Sequence, residues 1–248
     1  MPITTTPHEV PAPPEGPWLY APGEPPRTPL APAGATRAVL FDRDGTLVED
    51  VPYNGDPALV RLMPHAREAL EAVRARGVAV GVVSNQSGVA RGLLTRRQVE
   101  AVRRRVEELL GPFGVWAVCP HGPGDGCPCR KPAPGLVFAA CARLGVAPEE
   151  TVVIGDIGAD LGAARAAGAR GVLVPTPVTR AEETDAAPER AADLLAAVRV
   201  ALGRPPSGLD LPSGLDRRSR EDRRPSPPSR EGRPSGEADG PSGEGSAA

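Results

Sequence analysis

Between residues 35 and 203, short apolar runs alternate with segments of helical periodicity, and that alternation leaves few folds open. The runs at 37–41, 78–83, 114–118, 151–154 and 171–174 predict strands, and 64–76, 95–110, 134–145, 159–168 and 181–202 predict helices. In 64–76, Ala66, Ala69, Leu70 and Val73 recur at helical spacing, Pro64 is expected in the first turn, and Gly77 is the stop. In 95–110, Thr95 can cap a stripe of Val99, Val102, Val106, Leu109 and Leu110. Strand–helix alternation predicts an α/β fold: a Rossmann-like parallel sheet with helices on both faces. In such sheets, function gathers beyond the carboxyl ends of the strands.

The flanks differ. Residues 1–34 hold 11 of the 32 prolines, so the head is expected to form no regular element, although Trp18, Leu19 and Tyr20 could dock locally. Residues 204–248 repeat PSGLD and mix charge with Ser, Pro and Gly, the pattern of a disordered tail. Three segments follow: 1–34, a domain over 35–203, and 204–248. Net charge is −2 and aromatic content 3%, which argues against a nucleic-acid partner. No run is long and apolar enough to span a membrane, and no secretory signal is evident, so a cytoplasmic location is expected. A monomer is expected as well.

The strand ends carry the chemistry. After the first run come Asp42 and Asp44, with Gly45 to turn the chain. One carboxylate can attack phosphorus to form an acyl-phosphate, and the other can serve as acid and base. Two anions facing a phosphate need a cation, and oxygen ligands suit Mg²⁺. The bland alternative is a polar strand-to-loop junction. After the second run, Ser84, Asn85, Gln86 and Ser87 could grip phosphoryl oxygens, or simply form a capped turn. After the fourth run, Asp156 would complete the cation site, and Asp160 could cap the helix or act as a ligand.

After the third run, Cys119, His121, Cys127 and Cys129 supply three thiolates and an imidazole, a closed tetrahedral shell for structural Zn²⁺. A reactive thiol cluster or a disulfide is the alternative. Cys141, among alanines in a helix, is expected in the core. Arg130 and Lys131 follow the last zinc ligand directly, so the metal would fix a phosphate clamp. Lys131 is the only lysine in a chain that otherwise uses arginine.

Taken in order, DRDGT, SNQSG, Lys131 and GDIGAD resemble the four motifs of the haloacid dehalogenase superfamily of phosphotransferases over about residues 37–175. The resemblance implies Asp42 as nucleophile, Asp44 as acid/base, Ser84 and Lys131 on the phosphoryl group, and Asp42, Asp44 and Asp156 at Mg²⁺. The zinc set with C-R-K-P resembles the capless subfamily that contains D-glycero-D-manno-heptose 1,7-bisphosphate and histidinol-phosphate phosphatases. It implies a minimal or absent cap and a small phosphorylated metabolite as substrate. It also implies recognition by Arg130 and by the loop from Asp50 through Tyr53, beside Asn85, Gln86 and Ser87. SNQSGVARG and RKPAPGL resemble the heptose enzymes, the preferred reading. The five-residue gap from His121 to Cys127 resembles the histidinol-phosphate branch, and another sugar phosphatase also fits. A non-catalytic phosphate- or metal-binding module would need a lost catalytic residue, and none is lost.

Overall fold

In a computed structural model, the described residues are 16–22 and 35–203. The expectations for the rest of the head and for 204–248 lie outside them. Six strands occur among the described residues: β1 (Trp18–Tyr20), β2 (Ala38–Phe41), β3 (Ala79–Asn85), β4 (Val115–Cys119), β5 (Thr151–Gly155) and β6 (Arg170–Leu173). They form one sheet in the order β1-β4-β3-β2-β5-β6. β2 to β6 are mutually parallel, as the alternation predicts, and β1 is an antiparallel edge. That edge corrects the expectation that the head forms no regular element, while Trp18, Leu19 and Tyr20 dock on the domain as they could. The three residues Trp18–Tyr20 contain no proline, so every N–H is available to the ladder, and two aromatic rings favour a strand.

Helices α1 (Ala66–Ala75), α2 (Arg96–Leu110), α3 (Gly135–Leu144), α4 (Gly158–Ala167), α5 (Ala181–Ala186) and α6 (Leu194–Ala201) cover the sheet. Alternation of side chains along each strand decides which helix goes where. Val39, Phe41, Val80, Val82, Trp116, Val152 and Ile154 pack with α1, α2 and α6 on one face. Ala38, Leu40, Val83, Val115, Ala117 and Val153 pack with α3 and α4 on the other. α2 begins in a full capping box, with Gln98 N–H donating to Thr95 Oγ1 at 3.3 Å and Thr95 N–H to Gln98 Oε1 at 2.9 Å.

Two helical expectations are corrected. Pro64 lies outside α1, because His65 takes a left-handed φ of 62° immediately before Ala66. The single helix expected over 181–202 is two. The chain between them runs along β6: Leu173 N–H donates to Glu189 O and Ala191 N–H to Leu173 O, each at 2.9 Å. Pro188 has no N–H to continue α5, and Asp193 caps α6 by accepting from Ala196 N–H at 2.8 Å. No helix among the described residues is long and apolar enough to cross a membrane.

Candidate active site

β2 and β5 are neighbours whose following helices lie on opposite faces, so a crevice opens at their carboxyl ends. Asp42 leaves β2 with its N–H on Ile154 O at 2.8 Å, and Asp156 leaves β5. Gly45 then turns the chain with φ +75°, and a Cβ there would fall 2.3 Å from Asp156 Oδ2. Only glycine lets the two strand-end loops close on each other.

The floor of the crevice is organised by Lys131, which is 4% exposed. Its Nζ donates to Asp42 Oδ1 at 2.5 Å, Asp160 Oδ1 at 2.6 Å and Val83 O at 2.9 Å. Three ammonium protons meet three acceptors, so the cation is saturated without water. Burial lowers the Lys131 pKa, but Asp160 and Asp42 outweigh it together and the net shift is upward. Asn85 fixes the backbone at the same residue: its Nδ2 donates to Lys131 O and its Oδ1 accepts from Lys131 N–H, both at 3.1 Å.

Asp42, Asp156 and Asp160 offer carboxylate oxygens within 4.8 Å of one another. Burial lifts the Asp42 carboxyl to about 8; Lys131 opposes the rise, and Asp160, Asp44 and Asp156 add to it. Burial and Asp160 lift Asp156 to about 7. Hard oxygens crowded at such a cost to ionisation fit a divalent cation. The sequence offers Asp160 either as a cap or as a ligand. It does take a cap's role, accepting from Ile157 N–H at 3.3 Å, but its other oxygen is on Lys131. Asp44 was expected among the ligands, yet its carboxylate is outside the cluster. Arg43 forks it, with Nε to Oδ1 at 2.9 Å and Nη2 to Oδ2 at 2.8 Å, and Gln86 Nε2 adds a bond at 3.0 Å.

A pocket of about 370 Å³ stands over these groups, lined by Asp42, Asp44, Asp50, Tyr53, Asn85, Gln86, Ser87, Arg130, Lys131 and Asp156. Three strand ends, the turn at Arg130 and Lys131, and the Asp50–Tyr53 loop thus converge on one place. Two expected contacts differ. Ser84 is buried beneath the pocket, its Oγ accepting from Gln86 Nε2 at 2.9 Å. Asn85 reaches the pocket wall, but both its amide atoms are committed to Lys131. Arg43 and the Val83 carbonyl went unnoticed in the sequence. An arginine between two aspartates is the sequence signal for the first; a backbone acceptor leaves none.

The second cluster is the Cys/His loop. Sγ–Sγ separations are 3.3 Å (Cys119–Cys129), 3.6 Å (Cys127–Cys129) and 3.7 Å (Cys119–Cys127), and His121 Nδ1 lies 3.5 Å from Cys119 and 3.3 Å from Cys129. A tetrahedral ion with zinc-like bond lengths would set these edges at about 3.8 Å for S–S and about 3.6 Å for S–N. The four donors are therefore spaced to hold one such ion. Burial and the neighbouring thiols hold the Cys129 thiol well above its ordinary pKa, which a bound dication would reverse. The loop is tied to the pocket by Gln86 N–H on Cys119 O at 2.7 Å and Arg130 Nη1 on His121 O at 3.3 Å. Cys141 stands apart in the core, its Sγ 3.4 Å from Thr151 Oγ1.

Known proteins resemble this chain in sequence and fold. A HAD-hydrolase-like family model matches residues 128–201. The chain is 36% identical to D-glycero-beta-D-manno-heptose-1,7-bisphosphate 7-phosphatase of Pseudomonas putida, over 56% of this chain and 83% of that one. It is 37% identical to the protein of the same name from Mesorhizobium japonicum, over 69% of this chain and 81% of that one. Among solved structures, D,D-heptose 1,7-bisphosphate phosphatase of Bordetella bronchiseptica, complexed with magnesium and phosphate, superposes with a TM-score of 0.61 at 28% identity, covering 67% of this chain and 98% of that one. A putative HAD-like phosphatase from Mesorhizobium loti gives 0.57 at 32% identity, covering 81% and 100%.

Proposed function

The chain belongs to the haloacid dehalogenase superfamily of phosphatases, and on that premise we propose that it hydrolyses the 7-phosphate of D-glycero-D-manno-heptose 1,7-bisphosphate through an aspartyl-phosphate. The observation that carries this reading is the convergence of Asp42, Asp44, Lys131 and Asp156 on one pocket. Residues 35–203 are the proposed catalytic domain.

In the proposed reaction, a carboxylate oxygen of Asp42 attacks phosphorus, and the bond to the sugar oxygen breaks. Asp44 gives that oxygen its proton, then takes one from the water that cleaves the acyl-phosphate. The fork of Arg43 and the Gln86 amide fix the direction in which Asp44 points. Lys131 holds Asp42 in place and sets a fixed positive charge under the transferring group, where it needs no reorganisation as charge develops. Asp42 and Asp156 would hold Mg²⁺, which when bound offsets the negative charge shared by phosphate and carboxylates. Cys119, His121, Cys127 and Cys129 would hold a structural Zn²⁺ that orders the turn presenting Arg130 and Lys131. Asp50, Tyr53, Ser87 and Arg130 are the pocket residues left to meet the leaving sugar.

The short span between His121 and Cys127 keeps histidinol phosphate as the second reading, because that span frames one side of the pocket through Arg130. A phosphate-release panel with Mg²⁺ separates the two: heptose bisphosphate, heptose monophosphates and histidinol phosphate. Highest kcat/KM on the bisphosphate supports the heptose reading, and a preference for histidinol phosphate overturns it.

A further inference from the structure

One wall of the pocket has no catalytic chemistry, and its support runs to the outer edge of the sheet. Tyr53, Ser87 and Gly88 line the pocket. Leu94 lies behind them. A Cβ built on Gly88 would be 2.9 Å from Leu94 Cδ1 and 2.9 Å from Tyr53 Cδ1, and one on Gly55 would be 3.0 Å from Leu94 Cδ2. Leu94 therefore abuts both the segment after β3 and the loop that carries Tyr53. The N–H groups of Leu93 and Leu94 both donate to Gly88 O, at 2.8 and 3.0 Å.

On its other side, Leu94 joins Val99 and Val118 in a small apolar cluster against which Trp18, Tyr20 and Val89 pack. Trp18 and Tyr20 reach it because β1 pairs Trp18 with Val118 and Tyr20 with Trp116. Guanidinium groups of α2 hold both rings: Arg96 lies 5.0 Å from the Trp18 centroid and 5.6 Å from that of Tyr20, and Arg103 lies 5.1 Å from Tyr20. Contact thus passes without a break from β1 through Leu94 to Gly88 and Tyr53. The groups at the phosphoryl end hang elsewhere. Lys131 is fixed by Asp42, Asp160, Val83 and Asn85, none of which belongs to that cluster.

We propose that β1 is a positioning strap: Trp18, with Tyr20, sets Leu94 and through it the Gly88 and Tyr53 wall that meets the leaving group, without touching the phosphoryl chemistry. This rests on the pocket being the phosphatase site. Trp18 is a positioning residue, so its effect belongs in KM for a substrate that uses the wall and is absent for one that does not.

The test uses the full chain as wild type, Trp18→Ala and Trp18→Phe, with heptose bisphosphate and with acetyl phosphate, whose small acetate leaving group offers the wall almost no contact. Trp18→Ala is expected to raise KM for the bisphosphate about tenfold with kcat held, because misplaced binding groups act at this scale. Constants for acetyl phosphate stay unchanged, and Trp18→Phe restores KM. Amide exchange is expected to rise in 88–94 of Trp18→Ala while Gln86, 38–41 and 151–155 stay protected. Unchanged exchange in 88–94, or equal losses on both substrates, overturns the strap. If the wild type hydrolyses acetyl phosphate but not the bisphosphate, the heptose reading fails, and the exchange result alone decides the strap.

Discussion

Lys131 Nζ and Asp160 Oδ1 are 2.6 Å apart at the floor of the crevice, and the Asp160 side chain is wholly buried. Asp160 meets no pocket surface, yet it holds the cation that holds Asp42. Its second oxygen is bound at the start of α4, so the helix terminus and the active-site ammonium share one carboxylate.

Removing that carboxylate's charge leaves a buried ammonium short of a counter-ion. Asp160→Asn is expected to destabilise the protein by about 3 kcal/mol, the scale for breaking a buried pair. It should also lower kcat, because Lys131 loses one of its three anchors. Urea unfolding midpoints and steady-state kinetics check both; an unchanged midpoint would show that the pair does not stabilise the fold.

Lys131 has three acceptors arranged around one nitrogen, and no room for a planar fork. Lys131→Arg is therefore expected to reduce kcat/KM by about 100-fold or more, as for loss of a preorganised charge. Turnover within a few-fold of wild type would return the single lysine to an accident of composition.

Asp42→Asn removes the nucleophile while keeping shape. Turnover should be abolished, with the circular dichroism spectrum and unfolding cooperativity retained. Retained activity would sink the covalent scheme.

The Cys/His site predicts about one zinc per chain in protein prepared without chelators. Cys127→Ser, at the more exposed ligand, should lose the metal, lower the melting temperature and cut activity, since Arg130 and Lys131 lie just beyond Cys129. Elemental analysis finding no zinc in the wild type would contradict the assignment.

The raised carboxyls give a pH dependence with a definite sign. Asp42 rises from 3.8 to about 8 and Asp156 from 3.8 to about 7, in both cases chiefly by burial. Without a bound cation the folded state holds protons there that the unfolded chain has released, so stability falls as pH rises from about 4 to about 8. Mg²⁺ competes with those protons, so the increase in melting temperature on adding it should grow between about pH 5.5 and about pH 8. An increase that is flat with pH would show that neither carboxyl is the site of competition.

Most of the architecture was legible because it is local. Apolar runs and helical stripes set five strands and their helices, and the spacing from Cys119 to Cys129 set a ligand group, because both depend on residues near one another in the chain. The edge strand in the proline-rich head and the break between α5 and α6 were not legible. Each depends on hydrogen bonds to a distant strand, β4 in one case and β6 in the other.

The site divides in the same way. The chemical types at the strand ends announced a phosphatase; which side chain serves which partner did not follow. Asn85 and Ser84 lie where substrate contacts were expected, but a buried amide must satisfy its own donors and acceptors, and Asn85 does so on the backbone of Lys131, 46 positions away. Asp160 could be assigned only once α4 was packed beside the Lys131 turn. Residue types and order thus determined the reaction class, whereas pairing inside the crevice was decided by tertiary structure, because burial forces every charge and amide to find a partner that chain proximity does not supply.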